Sequence, residues 1–216
     1  MDESAFPWQA DWYKKLIEKN KGAEASDFVR LYYMEHCMHT DCEIGNGGDH
    51  QHIVSYLGAL HQGLLLLSDW VEKGTVPPDN SGYTMDGGQV IIPESAIDRK
   101  GLQPVVNLSS DGLTRVELAI GATAHFRAEI ELPAGSGELE EVVWNFDGND
   151  AFRLSGSFSD TWYLEDGTGR ASAETEHVYS RPGTYYAIVR VSSNRTKGDI
   201  FTRVQNLAKV RVVVTQ

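Results

Sequence analysis

Cysteine is almost missing from this chain: two occur in 216 residues, at positions 37 and 42. That is too few for a disulfide scaffold, so the redox compartment stays open. A basic excess is missing as well. With 31 acidic against 19 basic residues the formal charge is −12, and no basic stripe exists to release counterions from a phosphate backbone. Nucleic acid and anionic membrane surfaces are thereby disfavoured as partners. Long hydrophobic runs are absent too. The longest, around "GLLLLSDWV", falls far short of the ~20 residues that a membrane helix requires, so no transmembrane span is expected. The opening "MDESAFPWQADWYKK" lacks a basic start followed by an apolar stretch, and no secretory signal is expected there.

What is present suits a folded protein. Hydrophobic residues at 41% and charged residues at 23% allow a core and argue against disorder. The length is enough for two small domains, because domains cluster near ~100–150 residues. The acidity leans toward the first hundred residues, which hold 16 acids against 8 bases.

Local patterns divide the chain into three parts: 1–78, a connector at 79–104, and 105–216. In the first part Trp8, Trp12 and Leu16, with Tyr13 one turn round, form a helical stripe that ends near Gly22. "FVRLYYM" at 28–34 is rich in β-branched and aromatic types and predicts a buried strand. Ile53, Leu57, Leu60, Leu64, Leu67 and Val71 recur at spacings of three and four. They predict one long amphipathic helix over 51–73, ended by Gly74 and the Pro77–Pro78 pair and packed against a sheet. The connector is punctuated by proline and glycine and holds one short strand, "QVIIP". From Val105 onward only short alternating strands occur, broken by "SSDG", "PAGSG", "DGND" and "RPG", which predicts an all-β sandwich. The expected class is α+β: helix, strand and long helix, followed by the sandwich.

Between the predicted strand and the long helix lies "MEHCMHTDC", a knot of histidines, cysteines and acids. Three readings fit its residue types. In the first, His39 is presented at a strand end as a general base, with Asp2, one helix and one strand earlier, holding its tautomer; His36 is the second choice for the base. In the second, His36, Cys37, His39 and Cys42 ligate a metal with His50 and His52 nearby, although no second knuckle at a fixed distance supports zinc. In the third, Cys37 and Cys42 close a small disulfide loop or remain as two thiols.

"FVRLYYMEHCMHTD" followed by "VSYLGALHQGLLLLSDWVEKGTVPP" resembles the C-terminal end of the tannase and feruloyl esterase family, α/β-hydrolases that cleave phenolic esters. The resemblance covers roughly residues 2–78 and implies that His39, nine residues after Arg30, is the triad histidine and Asp2 the triad acid. Two departures stand out. Thr40 occupies the place where that family carries a cysteine, so its disulfide is not expected. No G-x-S-x-G occurs anywhere, and "AGSGE" lacks the second glycine, so there is no serine to activate and the chain alone is expected to be inactive. The resemblance implies that the missing strands and the nucleophile come from an upstream segment or a second chain. A strand edge left bare without them would be an aggregation hazard.

"VVWNFDGND" and "EHVYSRPGTYYAIVRV" resemble the PKD domain, an immunoglobulin-like sandwich, through Trp144, Phe146, Asp147, Gly148, His177, Tyr179, Pro182, Gly183, Tyr185 and Val189. Trp144 and Phe146 share one face at period two and should fill the space between sheets. Calcium at Asp147, Asn149 and Asp150 is the one cofactor the oxygen-rich turn allows. Trp162 and Tyr163 in the long insert are expected to cover the sandwich's own edge, the alternative being that they stand at the surface and stack on a sugar or a protein. The resemblance implies an exported location. Two functions follow: the back end of an ester hydrolase that lacks its nucleophile, or a non-enzymatic binding or spacer module.

Overall fold

The computed structural model describes residues 5–41, 51–148, 152 and 154–216. Asp2, Cys42, His50, Asn149 and Asp150 lie outside the described residues.

The sandwich forms as the alternation requires. Its larger sheet has the order β4 (Arg115–Ala119), β11 (Val204–Thr215), β10 (Gly183–Asn194), β6 (Glu138–Asn145) and β7 (Leu154–Ser155). The smaller has the order β3 (Val105–Ser110), β5 (Thr123–Leu132), β9 (Gly169–Val178) and β8 (Trp162–Tyr163). Neighbours pair antiparallel except β4 and β11, which are parallel. Strand β5 shows why the sheets stack: Ala124, Phe126, Ala128, Ile130 and Leu132 are buried while His125, Arg127 and Glu129 between them are exposed. These side chains meet Val142, Trp144, Val189, Val191, Val210 and Val212 from the larger sheet in one continuous core. Burying each large apolar side chain of this kind contributes roughly 1.5–3 kcal/mol.

A run of rings closes one end of the core. Phe146 lies 5.3 Å from Phe126 and 4.4 Å from His177, whose ring meets Tyr179 at 4.6 Å edge-on. The Tyr179 hydroxyl donates to the Phe146 carbonyl at 3.1 Å. Asn145 shapes the following turn by accepting from the Asp147 and Gly148 N–H groups.

Part of each central strand, residues 187–194 of β10 apart from the half-buried Arg190 and residues 204–207 of β11, is buried on both faces, which a free-standing sandwich would not require. On the outer face Ile188 and Leu207 pack with Val54, against which Cys37 and Phe152 also sit. The first part of the chain contains α1 (Trp8–Lys21), a 3-10 stretch (Gly22–Asp27), and α2 (Leu57–Lys73). Its Cys37, Val54 and helix α2 are therefore laid over the larger sheet. The connector folds as a hairpin, β1 (Thr84–Asp86) with β2 (Gln89–Ile91), then α3 (Ala96–Arg99).

Two local expectations need correction. Residues 28–34 are not a strand, and they are only partly buried. No neighbouring strand pairs with them among the described residues. Asn80 and Ser81 take that role: Asn80 Oδ1 accepts from Leu31 N–H, Ser81 Oγ from Tyr33 N–H, and the Leu31 carbonyl from Ser81 N–H, while Gln103 Oε1 accepts from the N–H of the next residue, Glu35. The long helix begins at Leu57 rather than 51: Ser55 Oγ accepts from Leu57 N–H at 3.2 Å and donates to Asp41 Oδ2 at 3.0 Å, while Asp41 Oδ1 accepts from Tyr56 N–H at 2.8 Å. Its end matches the sequence reading. Gly74 takes a left-handed conformation at φ 70°, and its N–H and that of Thr75 bond back to Trp70 and Asp69.

Candidate functional site

Helix α2 buries an unexpected face. Gly58, Gln62 and Leu66, spaced by four, lie against the short 3-10 turn Ile200–Thr202 and Arg203. Gln62 Nε2 donates to the Thr202 carbonyl at 2.6 Å, and the His61 ring contacts the Phe201 carbonyl at 2.8 Å. The apolar stripe read from the sequence falls on the opposite side. Leu60, Leu64, Leu67 and Val71 are 51, 57, 52 and 77% exposed, so the expected packing of this stripe on a sheet does not occur among the described residues. The helix is amphipathic as predicted, yet its apolar face is the outer one. Helix α1 repeats the pattern: Asp11 is buried, bonded by the Tyr83 hydroxyl at 2.8 Å and by Lys15, while Trp8, Trp12 and Tyr13 are exposed.

Beside the α2 stripe runs a groove of about 490 Å³, walled by Leu60, Leu64 and Leu67 on one side and by residues 30–34 on the other. Arg30 lies 4.8 Å over the Trp70 ring at one end. The backbone of the second wall alternates. Leu31, Tyr33 and Glu35 turn their N–H groups toward residues 80, 81 and 103. The main-chain groups of the intervening Tyr32 and Met34 bond to none of the described residues. A chain with alternate groups satisfied on one side and open on the other presents a strand edge. Burial pushes the Tyr32 and Tyr33 hydroxyls up to about 12, so both stay neutral donors at ordinary pH; they are engaged with the carbonyls of Pro78 and Pro7.

Of the two residues expected for catalysis, Asp2 lies outside the described residues. His39 is exposed in the bend that follows, its carbonyl accepting from the Tyr56 hydroxyl at 3.4 Å. Among the described residues no group of three His, Cys, Asp or Glu side chains could hold a metal. The Cys37 thiol donates to the Glu35 carbonyl at 3.4 Å and packs on the Ile188 cluster. The structure instead distinguishes His36, with φ at 56°, whose Nδ1 lies 2.9 Å from Asn206 Oδ1. Asn206 and Gln103, both buried, carried no sequence signal, because an amide in a strand or loop looks alike whether it staples a distant segment or faces water.

On the sandwich, Trp162 and Tyr163 are exposed on β8, an edge strand that pairs with β9. No described helix is long and apolar enough to cross a membrane. No curated protein matches the chain. Residues 114–199 match the PKD domain family, a match that takes in β4 to β10 and leaves β3, β11 and the helical layer outside, so the immunoglobulin-like sandwich of this chain holds a PKD domain.

Proposed function

We propose that this chain is a non-enzymatic interaction module in which the PKD-bearing sandwich is a rigid mount and the helical layer is the docking surface. The partner is a protein that offers an extended, apolar segment to the groove between α2 and residues 30–34. One observation carries this reading: three leucines of α2, Leu60, Leu64 and Leu67, stand more than half exposed along the groove, opposite the open main-chain groups of Tyr32 and Met34. Contiguous apolar patches of that kind mark association sites. Strand addition to an open edge supplies main-chain hydrogen bonds, while the neighbouring leucines receive alternate side chains. The α/β-hydrolase resemblance names one partner of this chemistry, a parallel sheet that lacks its last strand.

Photo-crosslinking tests the reading. A benzophenone side chain placed at Leu64 in the native host is expected to capture one protein, and the capture to disappear when Leu60 and Leu67 are changed to Asp. Equal capture from Thr123, on the far sheet, would defeat it. The hydrolase reading has its own test in a para-nitrophenyl ester assay. No turnover is expected from the isolated chain; turnover abolished by His39→Ala would restore a catalytic role for His39.

A further inference from the structure

Residues 33–36 line a second cavity, of about 290 Å³, on the side of α1 and the β1–β2 hairpin. Phe6, Trp8 and Tyr33 supply rings to its wall, and Glu35 and His36 supply polar groups; no lysine or arginine lines it. His36 is held there against a backbone cost. A left-handed conformation is unfavourable in a residue with a Cβ, and such strain gathers at functional positions.

The histidine tautomer follows from the amide behind it. Asn206 is buried, its Nδ2 donates to the Pro104 carbonyl at 2.8 Å, and its Oδ1 accepts from Leu207 N–H at 2.9 Å. With the amide so oriented, Oδ1 can only accept from His36, so Nδ1 carries the proton. In the neutral ring Nε2 is then an acceptor, and it has no partner among the described residues. Glu35 adds a second acceptor: its Oε2 takes Arg99 Nη1 at 2.5 Å, while Arg99 itself is nearly buried and outside the lining.

We propose that this cavity binds an organic cation, an ammonium or guanidinium group on an apolar stem. Its N–H groups bond His36 Nε2 and Glu35 Oε1, and its charge and stem lie among Phe6, Trp8 and Tyr33. Aromatic rings attract such cations, and a charge of −12, weighted toward the first hundred residues, draws them in. The cation comes either from a free small molecule or from a Lys or Arg side chain of a protein. This inference stands apart from the α2 groove and does not depend on it.

Titration of the whole chain at pH 8 with butylguanidinium, butylammonium, the neutral control butyramide and an acetyl-Gly-Arg-Gly-amide peptide, followed through the Trp8 indole N–H and the His36 ring nitrogens, decides the matter. In the free protein the His36 ring should show Nδ1 protonated. The cations should shift both residues saturably and the neutral control should not. Trp8→Ala should weaken binding about two- to fivefold, and Glu35→Gln about tenfold or more. His36→Asn, which tolerates the left-handed backbone, should remove the effect without unfolding the chain. Saturation by the butyl cations assigns a free small molecule, and saturation by the peptide alone assigns a protein side chain. Equal binding of butyramide, no saturable binding by any probe, or unaltered binding by the three variants would overturn the proposal.

Discussion

Gly58 meets the backbone of Arg203 so closely that a Cβ at position 58 would fall 1.7 Å from the Arg203 carbonyl oxygen. This contact is what allows α2 to lie flat on the 3-10 turn, and main chain cannot yield as a side-chain tip would. Gly58→Ala should therefore lift the helix and cost roughly 1–3 kcal/mol or more. Gly63, in the same helix, has nothing within 4 Å of the equivalent point, and Gly63→Ala should stabilise by about 0.5–1 kcal/mol. Urea denaturation of the two variants beside the parent measures both signs.

Gln103 holds the extended segment by both ends of its amide. Its Oε1 accepts from Glu35 N–H at 2.8 Å, and its Nε2 donates to the carbonyls of Glu35 and Gln205 at 3.0 and 2.9 Å. Gln103→Leu fills a similar volume but leaves these buried groups unpaired, at about 1–3 kcal/mol for each one that finds no water. Hydrogen exchange gives the sharper readout. The Tyr33 and Glu35 amides should lose protection, while those of β10 and β11 keep theirs.

The two faces of α2 should respond unequally to substitution. Leu64→Asp and Leu67→Asp, on the exposed stripe, are expected to change stability by no more than about 0.5 kcal/mol. Leu66→Ala, on the buried face, should cost about 2–5 kcal/mol. Thermal unfolding distinguishes them, and an equal loss at Leu64 and Leu66 would mean that the stripe is covered in solution.

The aromatic end of the core carries a pH dependence. Burial holds the His177 imidazolium below its ordinary value of 6.5, opposed in part by the Asp147 carboxylate. A histidine whose folded value is depressed binds its proton more readily in the unfolded chain. Stability is thus unaffected above about 6.5 and declines as the pH falls below it, until the folded form also protonates. His177→Phe should flatten that part of the stability profile between pH 7 and 5, leaving losses from carboxylates at lower pH unchanged.

How much of this could be read in advance differs along the chain. The sandwich was open to reading because its signals are local. Alternation along "ATAHFRAEIEL" puts every second residue of β5 inside, and turn residues separate the strands. The same holds for the end of α2 at Gly74, where one residue's left-handed preference stops a helix. The candidate surface was not open in this way. "FVRLYYM" has strand composition, but a strand is a relation between two segments. Its main-chain hydrogen bonds here go to Asn80 and Ser81, 49 and 48 residues away, and that of the next residue, Glu35, to Gln103, 68 away.

The sequence by itself determined which residues seek burial, where two helices and the sandwich strands run, and that no nucleophile elbow is present. Only the tertiary structure decided which side of α2 meets the sheet, since a helix with glycine and glutamine on one stripe and leucine on another can pack by either. Close approach at Gly58 and the Gln62 hydrogen bond settled it in favour of the small, polar side. Fixing His36 in place likewise required Asn206, 170 residues further on. Periodicity records preference along the chain, whereas geometry between distant segments decides which preferences are met.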